Sequence, residues 1–206
     1  MSMTKGAVLR RFALIISACT VLLFDCFAHA QQMDIAVGDS AVLSSNYNSS
    51  SQAYLPPAEK GGAYPSLSAD VIFKNRIGFS GEVAVRAKQG VYNNYQPFRP
   101  ILYDFNLMFA PRFGEKITAE FMAGVGGESI RFYNPNGICY YSTGCVTHVS
   151  SNHFLGHVGG GVRYYFWRSF FVRPEAHLYL IHNNTQFNSG YIGRLGASIG
   201  YTFGPR

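Results

Sequence analysis

The sequence predicts an all-β fold, an eight-stranded antiparallel up-and-down β-barrel. From residue 33 onward, eight segments of about ten to fifteen residues alternate apolar and polar side chains, which is the two-residue period of β-strands. The connections between these segments alternate between short and long, and no helical period of useful length interrupts them. Only 14% of the residues are charged, against about 25% in an average soluble domain. This composition excludes a disordered tail or a coiled coil.

Residues 1–30 are predicted to be a secretory signal peptide that lies outside the fold. Basic residues precede an apolar stretch over residues 12–27, and Ala28-His29-Ala30 supplies the small residues of a cleavage site. A helix that spans a membrane needs about 20 apolar residues. This stretch is shorter, and Asp25 interrupts it. The barrel domain is therefore expected over residues 31–206.

Two of the four cysteines, Cys139 and Cys145, lie in the predicted mature chain. In an exported protein, an even pair this close in sequence indicates a disulfide that closes a loop, with two free thiols as the alternative. Cys19 follows a sequence that looks like a lipoprotein cleavage site, but the apolar core before it would be very short. Cleavage after Ala30 is therefore the preferred interpretation.

The predicted strands are ordered along the chain with turns of two kinds. They run roughly over residues 33–45, 63–74, 77–88, 98–110, 116–132, 150–166, 169–182 and 189–203. Tight turns around Asn75, Gly114 and Arg168 follow the second, fourth and sixth strands. Longer connections rich in Asn, Ser, Gly, Pro and Tyr fall at 46–62, 89–97, 133–149 and 183–188. One end of the barrel therefore has short turns and the other has longer loops.

Each predicted strand separates an apolar face from a polar face. In the fourth, Tyr103, Phe105 and Leu107 lie on one side, and Asp104 and Asn106 lie on the other. Across strands two to eight, the central apolar face carries no charge. The polar face carries six acidic and six basic residues: Asp70, Lys74, Glu82, Arg86, Lys88, Asp104, Glu120, Glu128, Arg163, Arg173, Glu175 and Arg194. Such a balance is expected of an enclosed surface, because an isolated buried charge is costly and a paired one is tolerated.

Alternation alone allows the sheet to close in two ways. In a soluble, exported, lipocalin-like ligand-binding barrel the apolar face points inward, whereas in a transmembrane barrel it points to lipid. The sparse and balanced polar face and the alternation of short turns with long loops favour the transmembrane barrel. So do the aromatic residues toward the strand ends, including Tyr103, Phe109, Tyr164, Phe166, Tyr191, Tyr201 and Phe203. The soluble barrel is the alternative.

Residues 33–203 resemble the small eight-stranded outer-membrane barrels of Gram-negative bacteria, the OmpA-like and opacity-protein-like type. The most specific part is the final strand, which ends in Tyr201-Thr202-Phe203, although Gly204-Pro205-Arg206 follow. It looks like the aromatic-ended strand that the barrel-assembly machinery recognises. The resemblance implies location in the outer membrane, contact with its lipid and assembly by that machinery. It also implies short turns in the periplasm and longer loops outside the cell.

The interior of an eight-stranded barrel is just wide enough for side chains to fill, which argues against a wide pore. Counted from the short-turn end, four residues lie at similar heights and are predicted to form an ion-pair cluster: Glu120, Arg163, Arg173 and Glu175. Elsewhere, Asp70, Glu82 and Asp104 are expected to face Arg194 or Arg86. The main interpretation is a structural plug, and a gated proton or small-ion path is the alternative.

The sequence contains no HExxH, P-loop or nucleophile-elbow motif. His153 and His157 would lie about 13 Å apart on an extended strand, too far for one metal ion. Lys and Arg are scattered singly, so nucleic-acid binding is not expected. We therefore expect neither a metal nor a cofactor.

The predicted role is non-enzymatic, either structural or in surface interaction, with possible surface ligands bound by connections 46–62 and 133–149. The enzymatic alternative is a lipid A modifying acyl hydrolase of the outer membrane, a class that uses a His, a Ser and an acid near the rim. His148-Val149-Ser150 is a weak match to that pattern. The position twelve residues after Ser150 is Val162 rather than an acid.

Overall fold

The computed structural model describes residues 32–44, 59–93, 95–140, 144–184, 186–187 and 190–204. The secondary structure of this part of the chain consists of ten β-strands. They are β1 (Gln32–Leu43), β2 (Ser66–Ile72), β3 (Ile77–Val85), β4 (Gly90–Tyr92), β5 (Gln96–Phe109), β6 (Arg112–Phe113), β7 (Ile117–Tyr140), β8 (Gly144–Trp167), β9 (Phe170–Ile181) and β10 (Tyr191–Phe203). Within these ranges there is no helix long and apolar enough to cross a membrane.

The sheet closes on itself as an antiparallel barrel. Its order is β4-β5-β3-β2-β1-β10-β9-β8-β7-β6, and β5 also pairs with β7. The first and last strands pair along their length, from Met33 opposite Phe203 to Leu43 opposite Gly193. β4 and β6 are short additions, so eight strands form the wall. The predicted all-β, eight-stranded antiparallel barrel is confirmed.

The apolar face of the barrel points outward and the polar face points inward. Phe105 and Leu107 are 60% and 56% exposed, whereas Asp104 and Asn106, which alternate with them, are buried. The same alternation appears on β9, where the burial pattern changes at every residue. The lipocalin-like alternative requires the opposite arrangement, with an apolar interior, and the structure does not favour it.

Strands β7 and β8 are much longer than the sequence predicted, at 24 residues each. They pair beyond the predicted ends, so most of the connection predicted over 133–149 is an extended hairpin rather than a loop. The cluster Asn134-Pro135-Asn136-Gly137 predicted the loop. In the structure the strand pairing continues past this cluster, with a register shift between Tyr133 and Ile138. A bulge of this kind accommodates Pro and Gly without ending the strand.

The barrel interior is layered along its axis. Apolar residues near the short turns come first: Ile72, Met108, Ala110 and Met122. A charged layer follows, and above it lies a second apolar layer: Val42, Tyr64, Ala84, Leu102, Leu155, Tyr179, Ile181 and Ile192. The end with the longer connections is filled by Phe98, Ile130 and Phe187, against which Tyr92 and Phe132 pack.

Candidate functional site

Arg163 on β8 is the centre of the charged layer. Its guanidinium group forms ion pairs with Asp34 on β1, Asp70 on β2 (2.6 Å) and Glu120 on β7. All four side chains are at most 1% exposed. The planar guanidinium group suits this task because its donors point in several fixed directions. One side chain therefore ties together four strands of the wall.

Arg173 on β9 extends this cluster. Its Nη1 lies 3.0 Å from Asp70 and 3.3 Å from Glu120, and its Nε lies 2.7 Å from Glu175. It also donates to the hydroxyl groups of Ser68 (2.8 Å) and Ser198 (3.1 Å). Asp70 and Glu120 are shared by both arginines, so the network is continuous. We refer to Asp34, Asp70, Glu120, Arg163, Arg173 and Glu175 as the central cluster.

A second pair lies above the central cluster, toward the end with the longer connections. Arg194 on β10 donates through Nη2 to Glu82 on β3 at 2.5 Å. Its guanidinium group also lies 5.6 Å from the ring centroid of Tyr179, within the range of cation–π attraction. This pair spans the barrel from one wall to the other.

Two histidines continue the polar layer. His157 Nε2 and His177 Nδ1 are 2.9 Å apart, and His157 Nδ1 lies 2.6 Å from the amide oxygen of Asn106. Because an amide oxygen only accepts, Nδ1 of His157 is the donor to Asn106, and a neutral His157 then accepts from His177 through Nε2. Asn106 in turn donates to Asp104 at 2.6 Å. The result is a hydrogen-bonded chain across β9, β8 and β5.

The structure brings the four residues predicted to lie at one height into the central cluster, and Glu82 faces Arg194 as expected. Two of the expected pairings need correction. Asp70 contacts Arg163 and Arg173 rather than Arg194 or Arg86. Asp104 forms no direct ion pair with either arginine among the described residues, and it accepts hydrogen bonds from Asn106 and from the Tyr179 hydroxyl (3.3 Å).

The predicted balance of charges on the polar face also needs correction. Among the described residues, eight carboxyl groups are buried, namely Asp34, Glu59, Asp70, Glu82, Asp104, Glu120, Glu128 and Glu175, but only three guanidinium groups, those of Arg163, Arg173 and Arg194. Lys74 and Lys88 are exposed beyond the strand ends. Arg86 lies at the mouth, 5.2 Å from the ring centroid of Phe98. The buried layer therefore contains more acids than arginines.

The segment that precedes β2 enters the mouth of the barrel. The Tyr64 hydroxyl donates to Glu59 at 3.0 Å, and both residues are fully buried. Burial and the adjacent Glu59 carboxylate raise the pKa of Tyr64 well above its ordinary value, so this hydroxyl stays a donor. Glu128 on β7 accepts from Asn184 at 3.4 Å. The connection after β9 is thus tied to β7, and Ser40 on β1 donates to the carbonyl oxygen of Tyr64 (3.1 Å).

Four aromatic rings pack together above this point. Ring centroids of Tyr92, Phe98, Phe132 and Phe187 are 5.0 to 6.5 Å apart. Phe98 and Phe187 are buried. Together with the apolar layer beneath them, these rings fill the lumen at the end opposite the short turns.

The remaining predicted site residues lie on the outer surface or in the hairpin. Tyr201 and Phe203 point outward from β10, and Tyr201 packs against Phe170 with centroids 4.9 Å apart. The backbone register places Cys139 opposite Cys145, while their side chains lie outside the described part of the structure.

The histidines considered for chemistry, His148 and His153, contact neighbouring residues of the β7–β8 hairpin. His148 contacts Thr147 and the ring of Tyr133, with no hydrogen bond to Ser150 in this part of the chain. His153 lies near Ser151 (3.0 Å) rather than near His157. No group of three His, Cys, Asp or Glu residues in the described ranges has a geometry that could hold a metal ion.

No protein family model matches the sequence, and no curated protein matches it. Solved structures do. Neisserial surface protein A is similar with a TM-score of 0.58 at 10% identity, covering 84% of this chain and 96% of that one. The N-terminal β-barrel domain of OprF from Pseudomonas aeruginosa gives 0.57 at 11% identity, covering 84% and 98%.

A third similar structure is Ail, the attachment invasion locus protein of Yersinia pestis, in complex with the heparin analogue sucrose octasulfate. It gives a TM-score of 0.52 at 16% identity, with 84% of this chain and 97% of that chain covered. Identities this low show the fold alone. The chain has the fold of the small eight-stranded outer-membrane barrels.

Proposed function

We propose that this chain is a non-enzymatic integral outer-membrane protein. In this view the barrel is a rigid anchor, and the connections at its outer end have a structural or surface-interaction role. The observation that carries the proposal is the filled lumen. The central cluster and the aromatic rings of the mouth occupy the space that a pore would need.

The hairpin of β7 and β8 supports the surface role. Each residue of an extended strand adds about 3.4 Å. The end of β7 from Arg131 to Tyr140 is therefore about 30 Å long. Arg131 and the neighbouring Val149 and Ser150 are exposed. In our proposal, this hairpin and the connection at 46–62 contact a surface ligand. Residues 46–58 of that connection lie outside the described part.

The final strand supports assembly as an outer-membrane barrel. Tyr201 and Phe203 present their rings on the outer surface, and β10 closes the barrel by pairing with β1. We also propose that the barrel-assembly machinery recognises these two aromatic residues.

The filled lumen predicts that the protein does not conduct ions. In planar lipid bilayers the mature chain is expected to give no stable open-channel steps, and vesicles containing it should be no more permeable to protons than empty vesicles. A gel shift between boiled and unboiled samples of the same preparation shows that the barrel is folded. Persistent conductance from heat-modifiable protein would contradict the plug and favour the gated ion path.

We also propose a disulfide between Cys139 and Cys145. Directly opposed residues of antiparallel strands have Cα atoms about 4.5–5.5 Å apart, which falls within the range that a disulfide requires. Exported protein treated with iodoacetamide before reduction should contain no alkylated Cys139 or Cys145. Both should be alkylated after reduction, and modification of both without reductant would contradict the bond.

A further inference from the structure

Two arginines face each other on the outer surface of the barrel. Arg99 on β5 is paired directly with Arg131 on β7. The preceding residues in each strand, Phe98 and Ile130, are buried in the interior, so strand alternation directs both arginines outward. Arg131 is exposed and Arg99 is half-buried.

The height of this pair matches the upper edge of the apolar band. Phe109, 48% exposed, marks the lower end of the outward stripe on β5. Arg99 is ten residues further along, about 34 Å on an extended strand, or about 26 Å along the axis at a strand tilt of about 40°. The apolar band of such barrels is about 25 Å tall. The arginines therefore lie at the level of the outer headgroups.

The pair lacks a counter-charge within the described part of the protein. No carboxylate there forms an ion pair with Arg99 or Arg131, and Nε of Arg99 is buried without a hydrogen-bond partner. Among the described residues, the Arg99 guanidinium group donates one hydrogen bond, from Nη2 to the carbonyl oxygen of Ala87 (3.3 Å), next to the exposed Lys88. Like charges directly opposite each other destabilise a sheet, so a bound anion would stabilise this pair.

Toward β8, the outward neighbours of the pair are polar and uncharged. Arg131 is paired with Ser150, and Ser129 is paired with Asn152. Hydroxyl and amide groups of this kind hydrogen bond to sugars. Below them the outward stripe of β5 becomes apolar, with Tyr103 and Phe105 exposed. The outer surface thus changes within a few residues from apolar side chains, which suit lipid acyl chains, to polar and basic side chains, which suit lipid headgroups.

We propose that Arg99 and Arg131, assisted by Lys88, bind a phosphate group on the sugar headgroup of an outer-leaflet glycolipid. Guanidinium groups bind phosphate bidentately, and one phosphate between them removes the repulsion. The acyl chains of the same lipid cover the apolar stripe beneath. This inference rests on the proposed outer-membrane location.

The test uses the full mature chain in phosphatidylcholine nanodiscs, titrated with purified diphosphorylated lipid A. Native mass spectrometry gives the bound lipid A per barrel. The variant R99Q/R131Q is compared with K74Q/K116Q, which removes two exposed charges near the short turns. Wild type and K74Q/K116Q should bind alike, and R99Q/R131Q should bind at least about tenfold more weakly, since each lost charge-assisted contact contributes about a factor of ten.

Three outcomes would overturn the proposal. They are equal weakening in both double variants, no weakening in R99Q/R131Q, and equal binding of lipid A before and after enzymatic removal of its phosphates. A gel shift on the same samples separates this failure from failure of the proposed function. Unshifted wild-type protein would count against the membrane barrel itself, whereas shifted protein without phosphate preference would count against the arginine site alone.

Discussion

Replacing Arg163 with Met is expected to lower the free energy of unfolding by about 3–5 kcal/mol. Arg163 is fully buried and neutralises charge on Asp34, Asp70 and Glu120. Methionine fills similar space but leaves the carboxylates. Arg173 still contacts Asp70 and Glu120, whereas Asp34 loses its ion pair with Arg163 and keeps the hydrogen bonds from the Gln32 amide. Urea unfolding in lipid vesicles, followed by the fluorescence of Trp167, the single tryptophan, measures the change.

Two further variants make this prediction specific. Lys116→Met removes one exposed positive charge and should change the free energy of unfolding by less than about 0.5 kcal/mol. Adding Asp34→Asn to Arg163→Met should restore part of the loss, because it removes the uncompensated carboxylate. If Arg163→Met unfolds at the wild-type urea concentration, the central cluster does not stabilise the barrel.

The fold was predictable because the wall of a barrel is periodic in sequence. Every second residue of β9 is exposed, and the residues between them are buried, so the two-residue period is visible without knowledge of the neighbours. The hairpin beyond Tyr133 was not predictable in this way. Its strands continue through an Asn-Pro-Asn-Gly cluster, and only pairing with a partner strand shows that the cluster is an irregularity rather than a turn.

The interior contacts were only partly predictable because they depend on strand stagger. Residues at equal counts from the short turns, such as Arg163 and Glu120, do meet. Asp34 was missed because β1 had no predicted register, although its position between Met33 and Ile35 shows the required alternation. The contact of His157 with His177 joins residues 20 positions apart in sequence. The tilt of the strands sets the relative heights of residues on different strands, and no local sequence pattern indicates this tilt.

Glycines on β7 let the neighbouring strand approach closely, and this closeness predicts a second large effect. Gly126 faces the interior opposite Asp104. A Cβ atom at this position would overlap the backbone carbonyl oxygen of Tyr103 and lie 2.7 Å from the Cα of Asp104. Both obstacles are backbone atoms, so no side-chain rotation relieves the overlap. Close approach of another backbone is one of the reasons for glycine inside a strand.

Gly126→Val is therefore expected to cost about 3 kcal/mol or more, at the upper end of overpacking effects, because β5 and β7 must separate. The separation would also move Asn106 on β5 away from His157 on β8 and weaken the hydrogen bond between them. Gly81→Val is the matched control, since a Cβ there meets only the carbonyl oxygen of Asp104 at 3.9 Å. The gel shift and the urea midpoint of both variants measure the difference. Equal stability of the two variants would show that β5 and β7 pair without needing a glycine at position 126.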